Sequence, residues 1–289
     1  LTYHVIPGAA VYAGQLTDGQ TVTTLQGESL EIGVSGGTVS VNGATVTSIN
    51  IRASNGVVHL IDGVLLPELD IVEKALLTQE TTTLAAAVAA GDLVATLQGA
   101  GPFTVFAPVN SAFAALGEVT LNALLDPVNR SLLQEILTYH VVAGDVRAGD
   151  LVSGPVTTVE GRDVTIDLSG AAPTVNGAEI IATDIVVGNG VIHLIDEVLV
   201  PELDIVETAV ITPQTQTLAA AVAAGDLVTT LEGAGPFTVF APINEAFAAL
   251  GTDRLEVLLA PENQAILQKV LTYHVVAGDV RAADLSDGL

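Results

Sequence analysis

Cysteine, methionine and tryptophan are all absent from this 289-residue chain, and lysine occurs only twice, as Lys74 and Lys269. Without cysteine there is no disulfide frame, no thiol nucleophile and no thiolate metal site, and the redox compartment is left open. Bases are scarce: 8 Lys and Arg stand against 33 Asp and Glu, a formal net charge of -25. A field of that sign repels a phosphate backbone, because nucleic-acid binding rests on clustered Lys and Arg, so DNA and RNA are excluded as partners. It equally opposes electrostatic docking on an anionic bilayer, although divalent cations could bridge acidic surfaces. The plainer reading is that the acids keep a repeat protein soluble. No apolar run reaches the roughly 18 residues that a membrane-spanning helix needs; LAAAVAAGDLVATL, for example, is broken by Asp92 and by polar residues. No leader pattern is read at the N-terminus and position 1 is Leu, so this terminus is expected to arise from processing or from where the sequence in hand starts.

What the chain does have is apolar mass and repetition. Its 49% hydrophobic content is ample for packed cores, and its length suits roughly two domains of ~150 residues. GDLVATLQGAGPFTVFAPVNSAFAAL at 91–116 returns as GDLVTTLEGAGPFTVFAPINEAFAAL at 225–250, an offset of 134. NGVVHLIDGVLLPELDIVE at 55–73 returns at 189–207 with the same offset of 134, while His4 and His140 are 136 apart. A two-residue length change therefore lies between the LTYH phrase and the rest of the module. A period this long is a whole domain, not a solenoid unit of about 20 to 50 residues.

Within one period, TTLAAAVAAGDLVATLQ spaces Leu84, Val88, Leu93, Val94 and Leu97 for two short helices around Gly91. FTVFAP is a β run ended by proline, after which Asn110 is expected to N-cap a helix carrying Phe113 and Leu116. Asp126-Pro127 marks another helix start, with Leu132, Leu133, Ile136 and Leu137 as its buried stripe. VTTVEG, RDVTIDL, PTVNGAEI and GVIHLIDEVLV read as strands, with Asn176-Gly177 as a two-residue hairpin turn. Helices followed by strands predict an α+β domain with segregated elements.

TVFAPVNSAF, LTYHVVAG and GVIHLIDEVLVP resemble, in order, the first conserved box, the tyrosine-histidine box and the second conserved box of fasciclin-like domains. The resemblance covers essentially the whole chain. It implies an α+β fold, a twisted β-sandwich or wedge flanked by helices, repeated here with a period of about 134 residues. It also implies an extracellular or cell-surface adhesion module, tandem in arrangement, of the kind linked in bacteria to attachment and biofilm. In that family's phase, residues 70–202 are a complete domain, 1–69 a C-terminal half and 203–289 an N-terminal half. Subtracting 134 carries residue 289 to 155, and residue 1 corresponds to 137, so the two halves share 155 - 137 + 1 = 19 positions. Either the chain continues into a longer array, which needs no new interface, or half-domains of separate chains complete each other head to tail.

All five histidines fall in two motifs: His4, His140 and His274 follow Tyr3, Tyr139 and Tyr273, while His59 and His193 precede Asp62 and Asp196 in VHLID or IHLID. Together with Asn110 and Asn244 these are the candidate partner-binding or structural residues. His with Asp could suggest a metal or a general base. The structural alternative is stronger, because His59 alternates with Val57 and Ile61 on one strand face and suits a core histidine holding a backbone carbonyl. LTYH is expected at the join between a buried helix and the first strand of the fold. GVSGG at 33–37 fits a nucleophile-elbow pattern at Ser35, but it lies between two strand-like runs where the elbow requires strand then helix. GAGPF at 99–103 has neither the third glycine nor the following helix of a dinucleotide site. Asn129-Arg130-Ser131 is a glycosylation sequon only in form, since it falls in a helix. No catalytic set and no cofactor is indicated; calcium is allowed by the acidic surface, without a loop motif. The expectation is a non-enzymatic adhesive repeat protein that self-associates and meets a cell-surface or matrix component. The alternative is a binding module for a small apolar ligand, made less convincing by only 3% aromatic residues.

Overall fold

The alternating residues near the start of the chain form five strands in the computed structural model, which describes residues 1–284. Positions 285–289 of the third segment lie outside the described residues. Strands β1 (Gln20–Thr23), β2 (Ser29–Ser35), β3 (Thr38–Val41), β4 (Ala44–Ala53) and β5 (Gly56–Ile61) pair antiparallel in sequence order. Asn42 and Gly43 turn β3 into β4 with φ of 43° and 82°, the positive pair that a two-residue hairpin demands. Ser35 ends β2 and passes through Gly36-Gly37 into β3, so no helix follows it. Tyr3, Leu30 and Leu65 form the buried centre of this unit, Leu1–Leu69.

The second unit, from Asp70 onward, opens with the middle segment. Its helices are α1 (Ile71–Leu77), α2 (Thr82–Ala90), α3 (Val94–Leu97), α4 (Asn110–Ala115), α5 (Glu118–Leu125) and α6 (Arg130–Tyr139). Its strands are β6 (Phe103–Pro108), β7 (Val141–Ala143), β8 (Gly154–Thr157), β9 (Asp163–Asp167), β10 (Thr174–Val175), β11 (Ala178–Val187) and β12 (Gly190–Ile195). Local chemistry starts the elements. Asp70 accepts the Glu73 amide at 2.8 Å and Glu73 returns the bond to the Asp70 amide at 3.1 Å, a reciprocal cap worth ~1 kcal/mol. Asp126 accepts the Val128 amide at 2.9 Å and begins a 3₁₀ turn, Pro127–Asn129, that leads into α6. Leu132, Leu133, Ile136 and Leu137 are buried along α6, the stripe their spacing predicts.

The seven strands run in the order β7-β6-β12-β11-β10-β9-β8, antiparallel except for the pair β6–β12. Because neighbours on a strand face opposite ways, β6 serves two cores. Val105 and Ala107 pack with Ile192 and the helices, whereas Phe106 points into a second cluster with Val164, Ile166, Val175, Ile195 and Leu199. Each large side chain so buried contributes ~1.5–3 kcal/mol by removal from water. The parallel pair is thus what joins the helical layer to the strand wedge.

The third segment repeats the helical half: α7 (Ile205–Ile211), α8 (Gln216–Ala224), α9 (Val228–Leu231), α10 (Asn244–Ala248), α11 (Thr252–Leu259) and α12 (Gln264–Thr272), with β13 (Phe237–Val239) and β14 (Val275–Ala277) as an antiparallel pair. It is joined to the middle segment by α7 against α5. Thr120 donates its hydroxyl to the Ile211 carbonyl at 2.8 Å, and Val210 and Ile211 pack on the middle segment's core.

Two expectations are corrected. Asn110 does not cap its own helix: Val109 holds the N-cap position and Asn110 is the first helical residue. Its side chain reaches α2, where the backbone amide of Thr83 lacked a partner. LTYH also does not lead into the first strand of its module. β6 comes earlier in the chain, and LTYH leads from α6 into β7, the edge strand that pairs with it.

Candidate functional site

The tyrosine-histidine pair sits where α6 hands over to β7. His140 is buried, with Nδ1 2.7 Å from the Ile136 carbonyl and Nε2 2.8 Å from the Leu199 amide nitrogen. An amide can only donate, so Nε2 accepts; the proton therefore rests on Nδ1 and is donated to Ile136. Burial pushes the His140 pKa down to about 4, against the smaller opposing effect of the Ile136 carbonyl. The ring is a neutral bolt between helix and sheet. With both nitrogens engaged, it has no lone pair for a metal and no site for a proton relay.

Tyr139 does the same for the strand wedge. Its hydroxyl donates to the Asp163 carbonyl and accepts from Asn176 Nδ2, both at 2.8 Å, while Asn176 Oδ1 takes the Thr165 amide at 2.7 Å. One period away, Tyr3 donates to the Ser29 carbonyl at 3.3 Å and accepts from Asn42 Nδ2 at 2.9 Å. His4 takes the Leu65 amide on Nε2 at 3.0 Å. Tyr273 and His274, in the third segment, stack edge to face instead, with His274 Nδ1 on the Val270 carbonyl at 2.8 Å.

His193 lies under the sheet beside Phe106, with ring centroids 5.7 Å apart, and its Nε2 holds the Val146 carbonyl at 2.9 Å. His59 holds the Val11 carbonyl in the same way at 2.9 Å. Asp196 stands just past the end of β12 and is not a strand residue. It accepts the Glu179 amide at 2.7 Å; Asp62 accepts the Thr45 amide at 2.6 Å. In both motifs His and Asp therefore have different partners: the histidines hold loop carbonyls, and the aspartates hold amides near the starts of β11 and β4. Asn110 Oδ1 takes the Thr83 amide at 2.9 Å and its Nδ2 donates to the Gln79 carbonyl at 2.8 Å; Asn244 repeats this with Thr217 at 3.0 Å and Pro213 at 2.8 Å. Among the described residues no group of three or more His, Cys, Asp or Glu is placed to hold a metal.

Two residues that carry the same kind of bracing escape the sequence reading. Asn189 accepts the Ile71 amide at 3.0 Å and donates to the Leu97 and Gly99 carbonyls at 2.7 and 3.1 Å, tying α1, α3 and β12 together. Its signal was the repeated NG before each HLID strand, which reads only as a turn. Arg162 joins Glu135 of α6, Glu160 and the Glu202 carbonyl. Position 28, its counterpart, is Glu, so repetition could not point to it.

These features define a class of protein: tandem α+β modules in which the polar side chains of the repeated motifs fasten helices, loops and strands to one another, most completely in the middle segment. The sequence profile of the fasciclin domain matches residues 1–67, 79–201 and 213–288. The chain belongs to the fasciclin domain family. It is 47% identical over 133 residues to protein sll1483 of Synechocystis sp., a match covering 46% of this chain and 74% of that one. Human periostin is 29% identical over 281 residues, covering 96% of this chain but 32% of periostin, so the chain spans about a third of that relative. Among solved structures, a FAS1 domain pair from the insect cell adhesion molecule fasciclin I covers 72% of each chain at 18% identity with a TM-score of 0.30.

Proposed function

We propose that this chain is part of an extracellular structural and adhesive repeat protein that forms or decorates a fibre, biofilm matrix or cell surface. The observation that carries the proposal is the joint between α5 and α7. The hydroxyl of Thr120 on the Ile211 carbonyl and the packing of Val210 and Ile211 give successive modules a defined contact rather than a loose tether. Residues 70–202 are read as one complete module, 1–69 and 203–289 as halves completed by neighbouring repeats. Beads held in register present equivalent acidic surfaces at fixed spacing, so weak contacts to a matrix or cell-surface partner add by avidity. Membership of the fasciclin domain family supports this reading. Every histidine of the motifs, with Asp62 and Asp196, already has a structural bond, which favours a non-enzymatic role.

The competing reading, a carrier of a small apolar ligand, meets a packed interior in the middle segment. The spaces between helices and sheet in the middle segment are only about 20 Å³ each, room for roughly one water. The test is adhesion of cells or matrix preparations to surfaces coated with the chain, compared with a coating of the same net charge. Coating-dependent attachment supports the proposal. Equal attachment to both coatings, or an apolar molecule co-purifying in stoichiometric amount, refutes it.

A further inference from the structure

Most of what fastens a set of helices to its strands is alike from copy to copy. Leu132, Leu133, Ile136 and Leu137 on α6 correspond to Ile266, Leu267, Val270 and Leu271 on α12, and Val164, Ile166, Val175 and Ile195 correspond to Leu30, Ile32, Val41 and Ile61. Apolar burial is non-directional, so cores this similar do not tell one set of strands from another. The polar bolts are repeated as well. Tyr139 meets Asn176 as Tyr3 meets Asn42, and His140 takes the Leu199 amide as His4 takes that of Leu65. A chain of near-identical repeats thus offers each set of helices more than one set of strands to fold against, the setting in which modules exchange parts and misassemble.

The contact built on Arg162 differs, and it differs in sign. Arg162 stands just before β9, reaches Glu135 on α6, and holds Glu160 with Nε 3.0 Å from the carboxylate. The side chains of Glu135 and Glu160 are only 25% and 14% exposed, so salt screens this group less than a pair in open solvent. At the equivalent positions the charges are reversed or removed: Glu28 stands for Arg162, Gln26 for Glu160 and Lys269 for Glu135. Within the first unit the Glu28 carboxylate takes the Gln26 side-chain amide at 2.8 Å and the Glu68 backbone amide at 2.9 Å. For the middle segment, the native pairing brings opposite charges together. Its helices on the strands of the first unit would set Glu135 against Glu28, and its strands under the helices of the third segment would set Arg162 against Lys269.

We propose that Glu135 and Arg162 are a specificity pair, the contact by which the helices of the middle segment select their own strands and reject those of the other repeats. Attraction selects, and like-charge repulsion rejects. A wrong pairing loses the attraction and gains the repulsion, so the interaction counts twice. For a partly buried group this gives roughly a tenfold preference for the native pairing. The shared cores and bolts hold whichever pairing forms; the charges decide which one that is. Selection of this kind acts while the chain folds and is independent of what the folded modules adhere to.

The experiment refolds the 289-residue chain from urea and reads hydrogen exchange in peptides covering α6 and β9. Native chains are expected to gain protection in both together. Mispaired chains protect one without the other. Arg162→Glu removes the attraction to Glu135 and is expected to raise the mispaired fraction roughly tenfold, and Glu135→Lys, which also suits Glu28, to raise it further. The decisive variant combines Glu135→Lys, Glu160→Gln and Arg162→Glu, which copies the charges of the other repeats into the middle segment. Opposite charges face each other again, so its urea midpoint should return close to native. Its α6 is now equally matched to Glu28, so chains with α6 protected and β9 unprotected should remain roughly tenfold above native. Native fidelity in this variant would make the pair a source of stability alone and overturns the proposal. A combined variant less stable than either single substitution overturns it too, since the two residues would then have separate structural roles.

Discussion

Mild acid should loosen the middle segment through His140 before most carboxylates titrate. Its pKa is lowered from 6.5 to about 4 by burial, so the unfolded chain binds a proton there that the folded chain refuses. Stability linked to this residue is complete above pH 6.5 and is lost as pH falls toward 4. With ~1.4 kcal/mol for each tenfold difference in proton affinity, the loss is about 2 kcal/mol at pH 5 and about 3 kcal/mol at pH 4. Protonation also removes the Nε2 lone pair that receives the Leu199 amide, which places the weakness at the join of α6, β7 and the segment after β12. The assay is urea unfolding read by hydrogen exchange of peptides covering β6 and β12, at pH 7 and pH 5, for the native chain and for His140→Gln. Gln does not titrate. The variant should be less stable at pH 7 but should lose about 2 kcal/mol less than the native chain on going to pH 5. Equal losses in the two proteins would refute the reasoning, since the other titrating groups are common to both.

The same substitution at equivalent positions should give unequal results. Phe106→Ala is expected to cost ~3–5 kcal/mol, whereas Phe240→Ala should cost less than ~1 kcal/mol, by urea midpoints in dilute protein. Tyr139→Phe strands the Asn176 amide and should cost ~1–2 kcal/mol, while Tyr273→Phe should lie within ~0.5 kcal/mol of native, by thermal unfolding. Asn110→Ala removes the bonds to Thr83 and Gln79 and should cost ~1–2 kcal/mol, with faster amide exchange confined first to the start of α2. Thr120→Ala should leave the middle segment's own stability within ~0.5 kcal/mol yet widen the distribution of angles between successive beads in micrographs, because its bond crosses the joint.

Local rules carried far in this chain. The Asn176-Gly177 turn, the Asp126-Pro127 start, the α6 stripe and the Gly91 break between α2 and α3 each depend on residues within a few positions, and each reads directly from the sequence. The expectation for Asn110 failed at the point where a side chain had a choice between its own helix and a more needy amide across the fold. Asn189 and Arg162 were invisible for a related reason. Their partners lie tens of residues away, 118 between Asn189 and Ile71, and nothing in a turn-forming Asn or a surface Arg announces a distant carbonyl.

The sequence by itself determined the period, the order of helices and strands, and the acidic, cysteine-free character of the surface, because composition and spacing are properties of the chain alone. Only the tertiary structure decided the meaning of the motif histidines. Whether an imidazole is a ligand, a base or a bolt depends on which atoms surround its two nitrogens. In the middle segment a helix carbonyl from Ile136 and an amide of the segment after β12, from Leu199, occupy both nitrogens of His140.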